Sequence, residues 1–312
     1  MKTSALALAA AFAVSAPSAG YAKDDPAPAS VAQAPAVPPA MIAMQKELHP
    51  QTGDVTIPEA KAVMHLGDNY YFIPAAEAKR VLTDAWHNPP EQAEGVLGMV
   101  FEKGATIYDN VWGAVITYNP TGHVLDKDAA NQDYSKVLSD MQSGETEDNQ
   151  KRKAAGYPTM NLVGWAQPPS YDGANHSLIW AREIAIEGEP DHGLNYDVRL
   201  LGREGVLSLN MLSSMSTIGN VRTAAQAFGK SVTFDSGSGY ADYNSSTDKT
   251  AEYGLAGLVA GGAAVAVASK LGLFAVILKF AKLILIGVLA VGAAVVGFFK
   301  KMFGRNRDPD MI

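Results

Sequence analysis

Cysteine is absent from all 312 residues of this chain. No disulfide framework, catalytic thiolate or cysteine-based zinc or iron–sulfur site can therefore be built from it. The six histidines, His49, His65, His87, His123, His176 and His192, are far apart, with no H-E-x-x-H pair among them. A metal site would have to be assembled by folding, because no ligand spacing announces one. No P-loop and no complete dinucleotide fingerprint occurs, so a nucleotide-dependent enzyme is disfavoured and no cofactor is implied. The nearest match to a nucleophile elbow, Gly237-Ser238-Gly239, falls in a Gly/Ser-rich stretch and not between a strand and a helix.

Positive charge is scarce until the carboxyl end. The chain carries 25 Lys and Arg against 32 Asp and Glu, a net charge of −7. The basic residues from Lys270 onward outweigh Asp308 and Asp310, which leaves the part before them at about −13 once Lys2 is removed. Such a domain is unsuited to nucleic acid or to lying flat on anionic headgroups, and simple solubility accounts for its charge.

What is present is a long apolar run. Residues 283–299 read LILIGVLAVGAAVVGFF without one charge, followed by Lys300, Lys301, Arg305 and Arg307. At about 1.5 Å per residue a helix here covers on the order of 25 Å, short but sufficient for a transmembrane anchor aided by snorkelling lysines. At the amino end, Lys2, the apolar stretch 5–14 and Gly20-Tyr21-Ala22 predict a signal peptide over residues 1–22. Together the two ends predict a bacterial inner-membrane protein with its main domain in the periplasm and a basic tail, 300–312, in the cytoplasm. Residues 255–282 are rich in Gly and Ala but interrupted by Lys270, Lys279 and Lys282. They predict a membrane-associated segment that is interfacial, spanning or re-entrant; a single span at 283–299 fits the charge rule best. Gly257 and Gly261 make a G-x-x-x-G, a candidate homodimer contact.

Between the ends, residues 23–40 are Pro- and Ala-rich and read as an extended linker, with 235–254 as a Gly/Ser-rich counterpart before the membrane. The folded domain is thus expected over 41–234. Its apolar period switches between 2 and 3.6. Residues 63–73 read as a strand or short hairpin, and Pro74 opens a helix that ends at Asn88-Pro89-Pro90. Leu97, Met99 and Phe101, then Trp112, Ala114, Ile116 and Tyr118, alternate as two strands. A helix is expected over 126–142, stopped by Ser143-Gly144, with a charged run beyond. Strands follow at 161–165, 178–186, 196–201 and 206–212, then an amphipathic helix over 217–228 and a short strand at 231–234. The fold class is α+β, an antiparallel sheet with packed helices, plus the C-terminal transmembrane anchor; as a fold analogy it is similar to the PsbP-like sandwich.

The runs Gly164-Trp165-Ala166-Gln167-Pro168-Pro169-Ser170-Tyr171-Asp172 and Leu194-Asn195-Tyr196-Asp197 carry a resemblance, together with His176, Leu178, Trp180, Arg199 and Leu201-Gly202. They resemble the signature of a bacterial family of uncharacterised membrane-anchored proteins, domain-of-unknown-function family 2167. The likeness extends from about Ile57 into the Gly/Ala-rich stretch and the lysine-interrupted tail. It implies an exported, membrane-anchored domain and brings no activity, cofactor or residue role.

The densest polar and aromatic constellation lies within residues 165–183. Asp172 and His176, with Glu183, are the catalytic candidates, because a histidine beside a carboxylate can exchange protons near neutral pH. Trp165, Tyr171, Trp180 and Arg182 are the candidates for a binding surface. Turn chemistry at Asp172-Gly173 and cross-strand packing of the tryptophans explain the same residues without a site. The expected function is a non-catalytic envelope protein that binds a partner or ligand. A periplasmic hydrolase and an accessory subunit of an inner-membrane complex are the alternatives.

Overall fold

The computed structural model describes residues 37–109, 111–129 and 132–261. The expected signal peptide, the span at 283–299 and the tail at 300–312 lie outside the described residues, as do most of 23–40 and of 255–282. Among the described residues no helix is long and apolar enough to cross a membrane. In chain order the elements begin with α1 (Pro39–Glu47), β1 (Asp54–Ile57), β2 (Ala62–His65), β3 (Tyr70–Pro74), α2 (Ala75–Arg80), β4 (Val96–Glu102) and β5 (Gly113–Asn119). They continue with α3 (Tyr134–Ala154), β6 (Met160–Asp172), β7 (Ser177–Ile186), β8 (Gly193–Leu201), β9 (Val206–Ser214), α4 (Ile218–Phe228), β10 (Val232–Phe234) and α5 (Leu255–Val259).

The fold is α+β with antiparallel sheets. Two meanders, β3-β4-β5 and β6-β7-β8-β9, join where β5 pairs with β9, giving a seven-stranded sheet in the order β3-β4-β5-β9-β8-β7-β6. β2 does not form a hairpin with β3; it pairs with β1 and β10 in a separate three-stranded sheet. That small sheet and α4 cover one face of the large one. There Trp112, Ile116, Tyr196, Leu209, Val221 and Phe228 are buried together. Phe228 meets Trp112 edge-on with ring centroids 5.5 Å apart and lies 4.9 Å from Tyr70, contacts that each add about 0.5–1.5 kcal/mol to the burial of the rings.

The opposite face is covered in two places. Over β3-β4-β5, α1 and α2 bury Val81, Leu82, Trp86, Met99 and Phe101. α2 continues into one π turn, Val81–Ala85, in which the Trp86 N–H donates to the Val81 carbonyl at 2.9 Å and the Trp86 indole N–H donates to the Ile107 carbonyl at 2.8 Å. Leu97 does not share the face of Met99 and Phe101, because the register of β4 against β5 shifts between Val96 and Gly98. A Cβ on Gly98 would stand 2.1 Å from the Phe72 ring, so only glycine fits there. Over β6-β7, the second cover buries Leu178, Trp180, Val206, Leu255 and Leu258.

Two sequence expectations are corrected here. The helix expected over 126–142 begins at Tyr134, where the Asp133 side chain accepts from the N–H groups of Ser135 and Lys136. It runs through Ser143-Gly144 to Ala154, so the charged run is helical. It is held at the sheet edge by polar side chains more than by an apolar stripe. Asn149 both accepts from the Met160 N–H at 2.8 Å and donates to its carbonyl at 2.9 Å, Glu145 accepts from the Leu162 N–H, and Gln142 donates to the Leu162 carbonyl. The outer edge of β6 is thereby satisfied, which protects it from pairing with another chain. That edge position also lets β6 pass through Pro168-Pro169, with register shifts against β7.

Residues 235–254, expected as a linker, fold back onto the domain. The Tyr240 hydroxyl donates to the Val124 carbonyl at 2.9 Å, and the His123 and Ala251 backbones pair. The chain then enters α5, where Leu255 and Val259 are buried. The domain therefore extends past 234, and the first turn of the expected membrane-associated segment belongs to its core. A Cβ on Gly257 would lie 2.6 Å from Cβ of Tyr253, so this glycine of the G-x-x-x-G is occupied by its own chain.

Candidate functional site

Alternation along β8 sets up the site. Leu194, Tyr196, Val198 and Leu200 point into the core beneath α4, which turns Asn195, Asp197 and Arg199 to the opposite face. The register then aligns neighbours. Trp180 of β7 stands opposite Asp197, and Asp197 stands opposite Asn210 of β9; Arg182 stands between Trp165 of β6 and Asn195. A polar centre is thus built on rigid strands between the two apolar covers of that face.

Asp197 is its hub and is completely buried. Its Oδ2 accepts from Arg182 Nη2 at 2.9 Å, and its Oδ1 accepts from Arg199 Nη2 at 2.6 Å and from Asn210 Nδ2 at 2.7 Å. Asn210 also donates to Asn195. The Arg199 guanidinium carbon lies 5.2 Å from the centroid of the Trp180 ring, a cation–π contact. Burial pulls Arg199 below the usual guanidinium range, Asp197 opposing that shift and Arg182 adding to it. Two arginines thus share one carboxylate, which leaves one unit of positive charge uncompensated within the triad.

The centre is not saturated. Arg182 Nε, Arg199 Nε and Trp180 Nε1 are buried donors that make no hydrogen bond among the described residues, and Asn210 Oδ1 is a buried acceptor in the same condition. The side chains of Arg182 and Arg199 remain 12% and 19% exposed, so the edge of the cluster reaches solvent. Arrangements of this kind can hold an anion in place or recognise one; nothing in them supplies a nucleophile.

The catalytic candidates do not come together as expected. Asp172 spends its carboxylate on its own turn, accepting from the Ala174 N–H at 2.9 Å and from Asn175 Nδ2 at 2.6 Å, and these bonds hold it below the usual carboxylate range. Glu183 accepts from or pairs with His192 at 2.6 Å, on the other face of β7 from Arg182. His176 instead meets Tyr171, whose hydroxyl lies 3.1 Å from His176 Nδ1 and donates to Asp126 at 2.9 Å. Burial first, and then this bond to Asp126, raise the Tyr171 phenol far above its ordinary value.

These residues open a second cluster. His176, at φ +46°, stacks on Tyr240 with ring centroids 4.1 Å apart; Tyr240 lies 4.2 Å from His123, which stacks on Tyr243 at 3.9 Å. The ladder ties the 235–254 strap to the sheet. Among the described residues no three His, Asp or Glu side chains are placed to hold a metal ion.

Of the expected binding residues, Trp180 and Arg182 belong to the polar centre and Trp165 borders it, its indole N–H donating to the Tyr134 carbonyl at 3.1 Å. Tyr171 belongs to the ladder. Asp197, Arg199, Asn195 and Asn210 were missed as site residues, although the alternation of Leu194-Asn195-Tyr196-Asp197-Val198-Arg199 carries the signal: three polar residues on one face of a strand whose other face is wholly apolar.

Comparison with known proteins adds family membership. No curated protein sequence matches the chain. Among solved structures it is similar to the solution structure of cyanobacterial PsbP, CyanoP, from Synechocystis sp. PCC 6803, at 8% identity and a TM-score of 0.33, covering 58% of this chain and 91% of that one. The family described as "Protein of unknown function (DUF2167)" matches over residues 49–293, most of the sequence, and the chain belongs to that family.

Proposed function

We propose that this chain is a non-catalytic binding protein of the bacterial envelope, exported by residues 1–22 and held at the inner membrane by 283–299, with residues 37–261 on the periplasmic side. The observation that carries the reading is the β6–β9 face. It keeps two arginines, a buried aspartate and an indole N–H on fixed strands, and leaves donors unspent at a cost that a purely structural core avoids. The hydrolytic alternative needed Asp172 or Glu183 beside His176, and each carboxylate is engaged elsewhere. The charge pattern at both ends supports the location.

In-cell photocrosslinking tests the reading. A photoreactive residue at Trp165, beside Arg182, is expected to give a discrete adduct in living cells, whereas the same residue at exposed Glu59, on the small sheet's side, gives none. Equal labelling at the two positions, or none at Trp165, would count against a binding face there.

A further inference from the structure

We propose that Arg182, Arg199 and the Trp180 indole N–H form a binding site for a single carboxylate group, a deepening that rests on the binding function of the β6–β9 face. Charge comes first. Asp197 is fully buried and gives one oxygen to each guanidinium, so a single negative charge is divided between two arginines. One positive charge remains, held by two side chains whose edges reach solvent. A monoanion balances it. A phosphate dianion would leave net negative charge beside Asp197, at low dielectric, where like charges repel strongly.

Donor geometry points the same way. Each arginine spends its Nη2 on Asp197, and its Nε is a buried donor with no acceptor among the described residues. Trp180, 1% exposed, presents a third such donor from the strand next to Arg199. Guanidinium groups bind carboxylates through paired N–H donors, and that preference is strongest where water is partly excluded. Asn210 Oδ1, a buried acceptor without a donor among the described residues, suits a ligand that carries an N–H or O–H near its carboxylate. The partly exposed indole of Trp165, opposite Arg182, offers an apolar body a surface to lie on.

A bracing role alone makes a different forecast. Ion triads buried only for packing are replaced by apolar side chains with little or no loss of stability, and such replacement changes no ligand.

The test is titration of the purified full-length protein in detergent with sodium benzoate, read from the nitrogen–proton NMR signals of the Trp180 indole and of the Arg182 and Arg199 Nε. Benzoate is expected to shift all three saturably. Benzamide, its neutral isostere, is expected to shift none. Arg199→Gln is expected to weaken benzoate binding about tenfold or more, with the Trp86 and Trp112 indole signals unmoved as the check on folding. Should that variant fail to fold, Arg182→Lys keeps the charge, removes the fork, and is expected to weaken binding likewise. Tighter binding of N-acetyl-Ala-Phe than of benzoate assigns the carboxylate to a peptide end, and the reverse assigns it to a small acid; both sustain the site. Absence of a saturable shift, equal shifts with benzamide, or tighter binding of inorganic phosphate would each overturn it. Specific crosslinking at Trp165 without benzoate binding would sink the carboxylate site and leave the binding function standing; benzoate binding without crosslinking would do the opposite.

Discussion

Arg203, in the β8–β9 turn, grips Asp248 through two parallel hydrogen bonds, Nε to Oδ2 at 2.7 Å and Nη2 to Oδ1 at 2.9 Å. The pair fastens the stretch between β10 and α5, which would otherwise read as Gly/Ser-rich linker. A third bond, Arg203 Nη1 to the Gly237 carbonyl at 2.9 Å, grips the same stretch at its start.

Loss of this clamp should release the strap before it unfolds the sheet. Arg203→Ala is expected to raise hydrogen exchange and protease cleavage within residues 235–254 while β7, β8 and β9 stay protected. Arg203, first among its partners, holds Asp248 well below the usual carboxylate range. A depressed carboxylate stabilises above its unfolded value of about 3.9 and loses that contribution only as pH falls through the lower folded value. Exchange in the strap of the native protein should therefore stay slow at pH 4.5. Rapid exchange at that pH would show that the pair is not what holds it.

At the polar centre, Asp197→Ala removes the buried carboxylate that two largely buried guanidinium groups share. Breaking a buried pair by deleting one partner costs about 3–5 kcal/mol, because the remaining charge is uncompensated. Urea unfolding is expected to show a loss of that size. Combining Asp197→Ala with Arg199→Met should recover part of it, since the two substitutions share a contact and their effects do not add. Equal destabilisation by the single and the double variant would show that guanidinium repulsion is not the cause.

Much of the architecture was legible in the sequence because period and turn chemistry agreed. The β8–β9 hairpin around Gly202 and Gly205, and α4 with Val221, Ala225 and Phe228 inward, follow from alternation and from 3.6-residue spacing. The second half of α3 escaped because Glu145 and Asn149 dock it on the backbone of β6, polar contacts that leave no apolar stripe to read. The strap escaped because composition describes a chain's freedom when isolated, whereas Arg203 and His123 lie far from it in sequence and meet it only on folding. Half of the candidate site was visible as Trp180 and Arg182. The other half required the cross-strand register that sets Asp197 opposite Trp180 and Asn210.

The proposed direction of the anchor makes a prediction about the carboxyl end. Lys300, Lys301, Arg305 and Arg307 follow the apolar run, while Asp308 and Asp310 weigh little in fixing orientation. A reporter active only in the cytoplasm, fused after Ile312, is expected to give signal. Protease added to spheroplasts is expected to reach residues 37–261 and to spare the tail. Signal from a reporter active only in the periplasm at the same junction would mean that the chain also crosses within 262–282, and the single span would have to be abandoned.

His123 makes the ladder sensitive to acid. It is 3% exposed, lies against the rings of Tyr240 and Tyr243, and its Nδ1 finds no hydrogen-bond partner among the described residues. Burial lowers its pKa below 6.5, and a bond to the Gly202 carbonyl and the charges of Asp126 and Asp248 only partly oppose that shift. The unfolded chain therefore takes up a proton that the folded one resists. Stability from this residue is present above pH about 6.5 and declines as pH falls below it, because the unfolded state then binds more protons. His123→Phe keeps a ring in the stack and cannot be protonated. Its stability in urea, measured at pH 7, 6 and 5, is expected to fall less steeply than that of the native protein, whatever the substitution costs at pH 7. Parallel declines would mean that the acid sensitivity resides elsewhere.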